Sequence, residues 1–132
     1  MQAGNQGDSN NAMKIINIKD TKKQYLHKPL FTGKVIRQSP VTDNEGSQLS
    51  IDYVYFPKGV RNKFHKHSND QVLIVLKGHG IVATKEKSFK VNKGDVIWTP
   101  ANEVHWHGAA PNSSFSHISV TKALTKLTQV EK

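Results

Sequence analysis

Cysteine is absent from the chain. That excludes a disulfide framework, a thiolate nucleophile and any sulfur-ligated metal, so a bound ion would have to be held by nitrogen or oxygen. No apolar run approaches the roughly 18 to 20 residues that a membrane-spanning helix needs, and the N-terminus lacks the basic-then-apolar order of a secretion signal. The expected setting is a soluble protein of the cytoplasm with no membrane partner. Acidic residues are scarce, 10 against 19 lysines and arginines, which leaves a formal charge of +9. The basic residues Lys22, Lys23, Lys77, Lys85, Lys87, Lys90 and Lys93 fall mostly at turns, with no interleaved aromatic stripe. A nucleic-acid surface is therefore not expected, and the charge reads as a solvated surface that favours anionic small molecules.

What is present is strand signal. The 132 residues suit one domain. Residues 1–12 are small, polar and aperiodic and precede a second methionine, Met13, so they read as a disordered leader or tag remnant, with the folded domain over 13–132. From Met13 onward, runs of four to eight residues alternate with Gly, Asn, Asp, Pro and Lys punctuation. Strands are expected at Lys14–Ile18, Thr32–Arg37, Gln48–Phe56, Asn62–His67, Gln71–Lys77, Gly80–Thr84, Lys87–Val91, Asp95–Thr99, Val104–His107 and Ser114–Thr121. Short connecting turns favour an all-β sandwich or barrel, arranged as an antiparallel meander closing on itself. Leu124, Leu127 and Val130 recur every three residues, which fits a short helix or a packed extension. Phe56, Phe64 and Phe115 are the expected barrel filling, and His27 and His79 read as surface residues.

The chemistry gathers around four residues. His65 and His67 are two apart, so on a strand both imidazoles face the same side. Ser68-Asn69-Asp70 has turn character, and a hairpin there would set Gln71 beside His67 and offer an amide oxygen. His105 follows the proline turn after Gly94–Thr99 and can reach the same point if the barrel closes. His107, two further along, should face the same interior as a general base or as a buttress to a ligand. His117, Ser119 and Thr121 alternate with Ile118 and Val120 and give that strand one polar face, directed either to a pocket or to solvent.

The spacing Gly59-x5-His65-x-His67-x3-Gln71-x6-Gly78, followed by Gly94-x5-Pro100-x-Asn102-x2-His105-x3-Ala109, resembles the two motifs of the cupin superfamily. Gln71 stands where glutamate is usual, Asn102 where a turn glycine is usual, and Ala109 where the pattern ends in asparagine. Together with Trp98 and His105-Trp106-His107-Gly108-Ala109-Ala110-Pro111, the pattern is similar to manganese-dependent cupin hydroxynitrile lyases and carboxymuconolactone-decarboxylase-associated cupins. The resemblance implies an all-β, single-domain double-stranded β-helix, or jelly roll. It further implies a divalent metal on His65, His67, Gln71 and His105, with manganese first and iron, nickel, cobalt or zinc as alternatives.

By the same resemblance His107 and His117 are catalytic, Asp52, Val54, Trp98 and Thr121 line the pocket, and the chain forms a homodimer or larger homo-oligomer. The implied reaction is lyase-like cleavage of a small oxygenated molecule. A metal-dependent dioxygenase and a non-catalytic small-ligand binder are the other readings. An amide in place of a carboxylate leaves the double charge of the ion uncompensated and makes it a stronger Lewis acid.

Overall fold

The computed structural model describes residues 12–132, and the leader read over 1–12 lies, apart from Ala12, outside the described residues. Ten strands follow: β1 Gln24–Leu26, β2 Val35–Val41, β3 Leu49–Phe56, β4 His65–His67, β5 Gln71–Thr84, β6 Ser88–Asn92, β7 Val96–Thr99, β8 His105–Ala109, β9 Phe115–Lys122 and β10 Leu127–Gln129. They form one curled sheet in the order β1-β2-β3-β9-β5-β8-β4-β10, with β6 and β7 also paired to β5. All pairings are antiparallel, but sequence neighbours are repeatedly separated, so the path is a jelly roll and the expected simple meander is not found.

β5 explains the shape. Its first half pairs with β7 and β9, and its second half with β6 and β8. The two expected strands Gln71–Lys77 and Gly80–Thr84 are therefore one 14-residue strand that bends through both halves of the barrel. The register slips between Val75 and Lys77, and Gly78 beyond it has φ 76°. A Cβ on Gly78 would overlap the Ser114 carbonyl, so only glycine fits this bend.

Strand alternation then fills the interior. Val35, Phe56, Val75, Val91, Ala109 and Phe115 form the buried cluster at one end, with the Phe56 and Phe115 rings 6.2 Å apart between centroids. Phe64 is only half-buried; it precedes inward-facing His65 and so takes the opposite face, and it does not fill the barrel as expected. His27 and His79 are exposed, as read from the sequence. One other expectation changes: Lys14–Ile18 is not a strand, and the chain enters through a 310 turn at Ile18–Asp20 before β1. Of the two forms expected for the tail, the packed extension is the one found: β10 pairs with β4 in the register Leu127↔His67 and Gln129↔His65. Backbone pairing along β4 outweighs the three-residue apolar spacing. Asn102 has φ 69°, the left-handed conformation for which it substitutes for glycine.

Candidate metal centre

β4 is short, with the burial pattern in-half-in, so its alternation turns His65 and His67 into the barrel and Lys66 away. β8 does the same for His105 and His107. His65 and His105 are direct register partners across the two strands. Their ring centroids lie 4.4 Å apart, and His67 is 5.0 Å from His65 and 5.5 Å from His105. One nitrogen from each of the three comes within 4.8 Å of the others, so His65, His67 and His105 could hold a metal ion.

The donor set fits an ion on further grounds. His65 Nδ1 lies 2.7 Å from the Lys63 carbonyl and His105 Nδ1 lies 2.8 Å from the Glu103 carbonyl. A carbonyl only accepts, so both rings carry their proton on Nδ1 and keep the Nε2 lone pair free. Gln71 reaches the same place by a different route from the one expected. β4 and β5 form no hairpin; the chain leaves β4 for the other half of the barrel, and β4 pairs with β8 and β10 instead. Gln71 Nε2 donates to Ser119 Oγ at 2.9 Å, which turns Oε1 toward His105 Nε2 at 3.3 Å.

Burial holds these histidines neutral. Desolvation, helped by the neighbouring His105, lowers His65 to about 3 and His67 to about 4. Desolvation also lowers His105, with the Glu103 backbone and carboxylate opposing. Neutral imidazoles are the form that binds metals.

Behind the triad sit two more buried imidazoles, His107 and His117, in a T-shaped contact with centroids 4.9 Å apart. His107 is clamped by Asn62: the Asn62 side-chain oxygen accepts from the His107 backbone N–H at 2.8 Å, and Asn62 Nδ2 lies 3.0 Å from His107 Nε2. With its oxygen so engaged, the Asn62 amide must donate to Nε2. The His107 proton is then on Nδ1, which has no partner. Desolvation, followed by the charge of His117, pushes the His107 pKa well below its ordinary value. Neither ring nitrogen of His117 has a hydrogen bond of good geometry, and burial lowers the group to about 4, with the nearby Ile118 backbone opposing.

Two of the three triad histidines, His65 and His67, open into a cavity shared by Arg37, Asp52, Val54, Asn62, Gln71, His107, His117 and Ser119. The polar face of β9 therefore points inward. Asp52 is in register with Ser119 and Val54 with His117, so both expected pocket residues line this cavity. Thr121 is the register partner of Gln71 and of Ser50 but is not among the lining residues. Trp98 is also apart from it. The indole is 63% exposed, donates to Asp70 Oδ2 at 3.0 Å, and borders a second cavity on the β6–β7 side that reaches His105 and His107. Sequence reasoning missed Asn62 and Arg37. Arg37 alternates with half-buried Ile36 and Gln38 and carries no local mark of its direction.

Two curled sheet halves around an inward-facing histidine constellation define a jelly-roll barrel with a candidate metal centre. The Cupin domain family model matches residues 52–120, just over half of the chain, and the chain belongs to that family. A cupin-like protein from Thermotoga maritima is 31% identical with a TM-score of 0.76, covering 91% of this chain and 90% of that one. The (R)-mandelonitrile lyase of Granulicella tundricola is 36% identical over 72 residues, 54% of this chain and 55% of the lyase. An acireductone dioxygenase of Alcanivorax borkumensis is 37% identical over 65 residues, 44% of this chain and 36% of the dioxygenase. The matched stretch thus spans about half the length of the lyase and about a third of the dioxygenase.

Proposed function

We propose that this cupin is a metal-dependent enzyme acting on a small oxygenated molecule, with His65, His67, His105 and Gln71 as the ligands and manganese as the working ion. One observation carries the reading: free Nε2 atoms and the Gln71 amide oxygen, each oriented by a bond from its other side, converge without a carboxylate among them. A divalent ion held by four neutral groups would polarise a substrate oxygen as a Lewis acid.

The proposed reaction is cleavage of a cyanohydrin to an aldehyde and hydrogen cyanide, as the name of the mandelonitrile lyase relative suggests. His117 is the proposed proton acceptor, because it is neutral, lines the cavity and has both nitrogens unpartnered. The hydroxyl proton passes to His117, the carbon–carbon bond breaks as the carbonyl forms, and the departing cyanide takes the proton back. His107 is proposed as a donor rather than a base. Its Nε2 lone pair is taken by Asn62, and Nδ1–H is the group it has left to offer. The neutral set of ligands also favours the departing cyanide anion, before it is reprotonated, over the neutral reactant.

The test is to strip the protein with a chelator, refill it with manganese, iron or zinc, and follow mandelonitrile cleavage and dioxygen uptake in wild type and His117→Ala, with and without oxygen. Turnover that persists anaerobically and falls at least a hundredfold in His117→Ala supports the lyase reading. Full metal occupancy with no turnover under any ion refutes it, and turnover that consumes dioxygen points to the oxygenase chemistry of the dioxygenase relative.

A further inference from the structure

We infer that Arg37 selects the ligand of this cavity, and that the cavity takes a small carboxylate whose charged end is held by the guanidinium fork. The inference rests on the metal and small-molecule site proposed above, not on mandelonitrile as its natural substrate: it narrows the oxygenated molecule to one that carries a carboxylate beside its hydroxyl. Arg37 stands in one register row with Gln24, Val54 and His117, on the face that turns toward the barrel interior. It lines the same cavity as His65, His67 and Gln71 and is only partly accessible.

Two features set Arg37 apart from the other arginine of the barrel. Arg61 is satisfied: it forms an ion pair with Glu131 at 2.9 Å, bonds the Asn62 carbonyl at 3.1 Å and lies 4.6 Å over the Trp106 ring. Arg37 has a single bond, from Nε to Gln24 Oε1 at 3.0 Å. Among the described residues its terminal nitrogens have no protein partner and it makes no ion pair. The cavity does contain a carboxylate, Asp52, but that group accepts from Ser39 Oγ at 2.7 Å and is not within ion-pair distance of Arg37.

The terminal nitrogens of Arg37 are not buried, so its four free N–H groups stay open to a ligand that enters the cavity. Its planar fork matches a carboxylate in two parallel bonds, and no neutral group can make that pair as well. In the same row, the unpartnered His117 ring offers a further polar contact to whatever enters. A 2-hydroxy acid would satisfy both features, with its carboxylate on Arg37 and its hydroxyl toward the histidines.

The probes are lactate and its neutral isostere lactamide. Binding of each is read by ligand-observed saturation-transfer NMR on wild type, Arg37→Gln and Arg37→Lys, with and without manganese, and the metal content of every sample is measured. Lactate should bind wild type at least tenfold more tightly than lactamide. Arg37→Gln should abolish that preference while leaving metal content unchanged, and Arg37→Lys should restore part of it. Equal binding of the two probes by wild type, no lactate binding, or an undiminished preference in Arg37→Gln overturns the inference. Failure of wild type to take up any metal overturns the proposed function instead, and the lactate preference of the metal-free protein then still decides the role of Arg37.

Discussion

Replacing His117 by phenylalanine should stabilise the fold, even though the residue is fully enclosed and packs tilted on Phe56 and Phe115 with centroids 5.7 and 5.4 Å away. Both ring nitrogens are buried without a hydrogen bond, and each such atom costs about 1 to 3 kcal/mol. A phenyl ring removes that cost and keeps the aromatic contacts, while the adjoining cavity gives room for its extra volume. The net gain should be about 2 kcal/mol after allowance for repacking.

The pH dependence makes the prediction sharper. The folded pKa of His117 lies at about 4, below the ordinary 6.5, so between these values the unfolded chain binds the proton and the folded chain does not. The stability that neutral His117 permits is present above pH 6.5 and is lost as pH falls toward 4. Between pH 7.5 and pH 5 the wild type should lose about 2 kcal/mol through this residue, and His117→Phe should lose none of that share. Urea unfolding of chelator-treated protein at the two pH values measures both effects. A less stable variant at pH 7.5 with an unchanged urea dependence, or one whose stability falls with pH as steeply as that of wild type, would refute the reasoning.

Two further outcomes follow from packing and orientation. Phe56→Ala should cost about 3 to 5 kcal/mol in urea unfolding, because the ring is wholly buried against Phe31, Phe115 and His107 and the space cannot be refilled from solvent. Ser119→Ala should cost about 1 to 3 kcal/mol in urea unfolding, because it leaves the buried Gln71 Nε2 without a partner, and should weaken metal binding about tenfold by competition titration, because it frees the Gln71 amide that Ser119 holds.

Local periodicity carried much of the site. The two-residue spacings of His65 with His67 and of His105 with His107 needed only strand geometry to place each pair on one face, and strand geometry is what β4 and β8 have. The polar face of β9 could be seen but not aimed, because alternation says that a strand has two faces and not which of them the barrel closes over. Gln71 was reached by a wrong local argument. A turn followed by an apolar run looks like a hairpin whether or not the next strand crosses to the other half of the barrel, and the crossing is fixed by the partners β8 and β9, whose paired residues lie from 21 (Thr84 to His105) to 50 (Gln71 to Thr121) positions away in the chain.

Arg37 and Asn62 are the clearest losses. Neither residue type nor spacing marks them, and both take their meaning from a neighbour that only the closed barrel supplies: the β3–β9 row for Arg37 and the ring of His107 for Asn62. β10 was left open between a short helix and a packed extension for a related reason. Three apolar residues at threes resemble a helix face, but an unpaired edge on β4 supplies backbone hydrogen-bond partners that no local pattern records.

The central claim is that three histidines and one glutamine hold a single divalent ion inside this barrel. The most direct measurement is titration of chelator-stripped protein with manganese, counting free ion by electron paramagnetic resonance, in wild type and His105→Ala. One ion per chain in wild type, with affinity lowered at least a hundredfold in the variant, is the predicted result. Undiminished binding by His105→Ala, or no binding by a folded wild type, would contradict it.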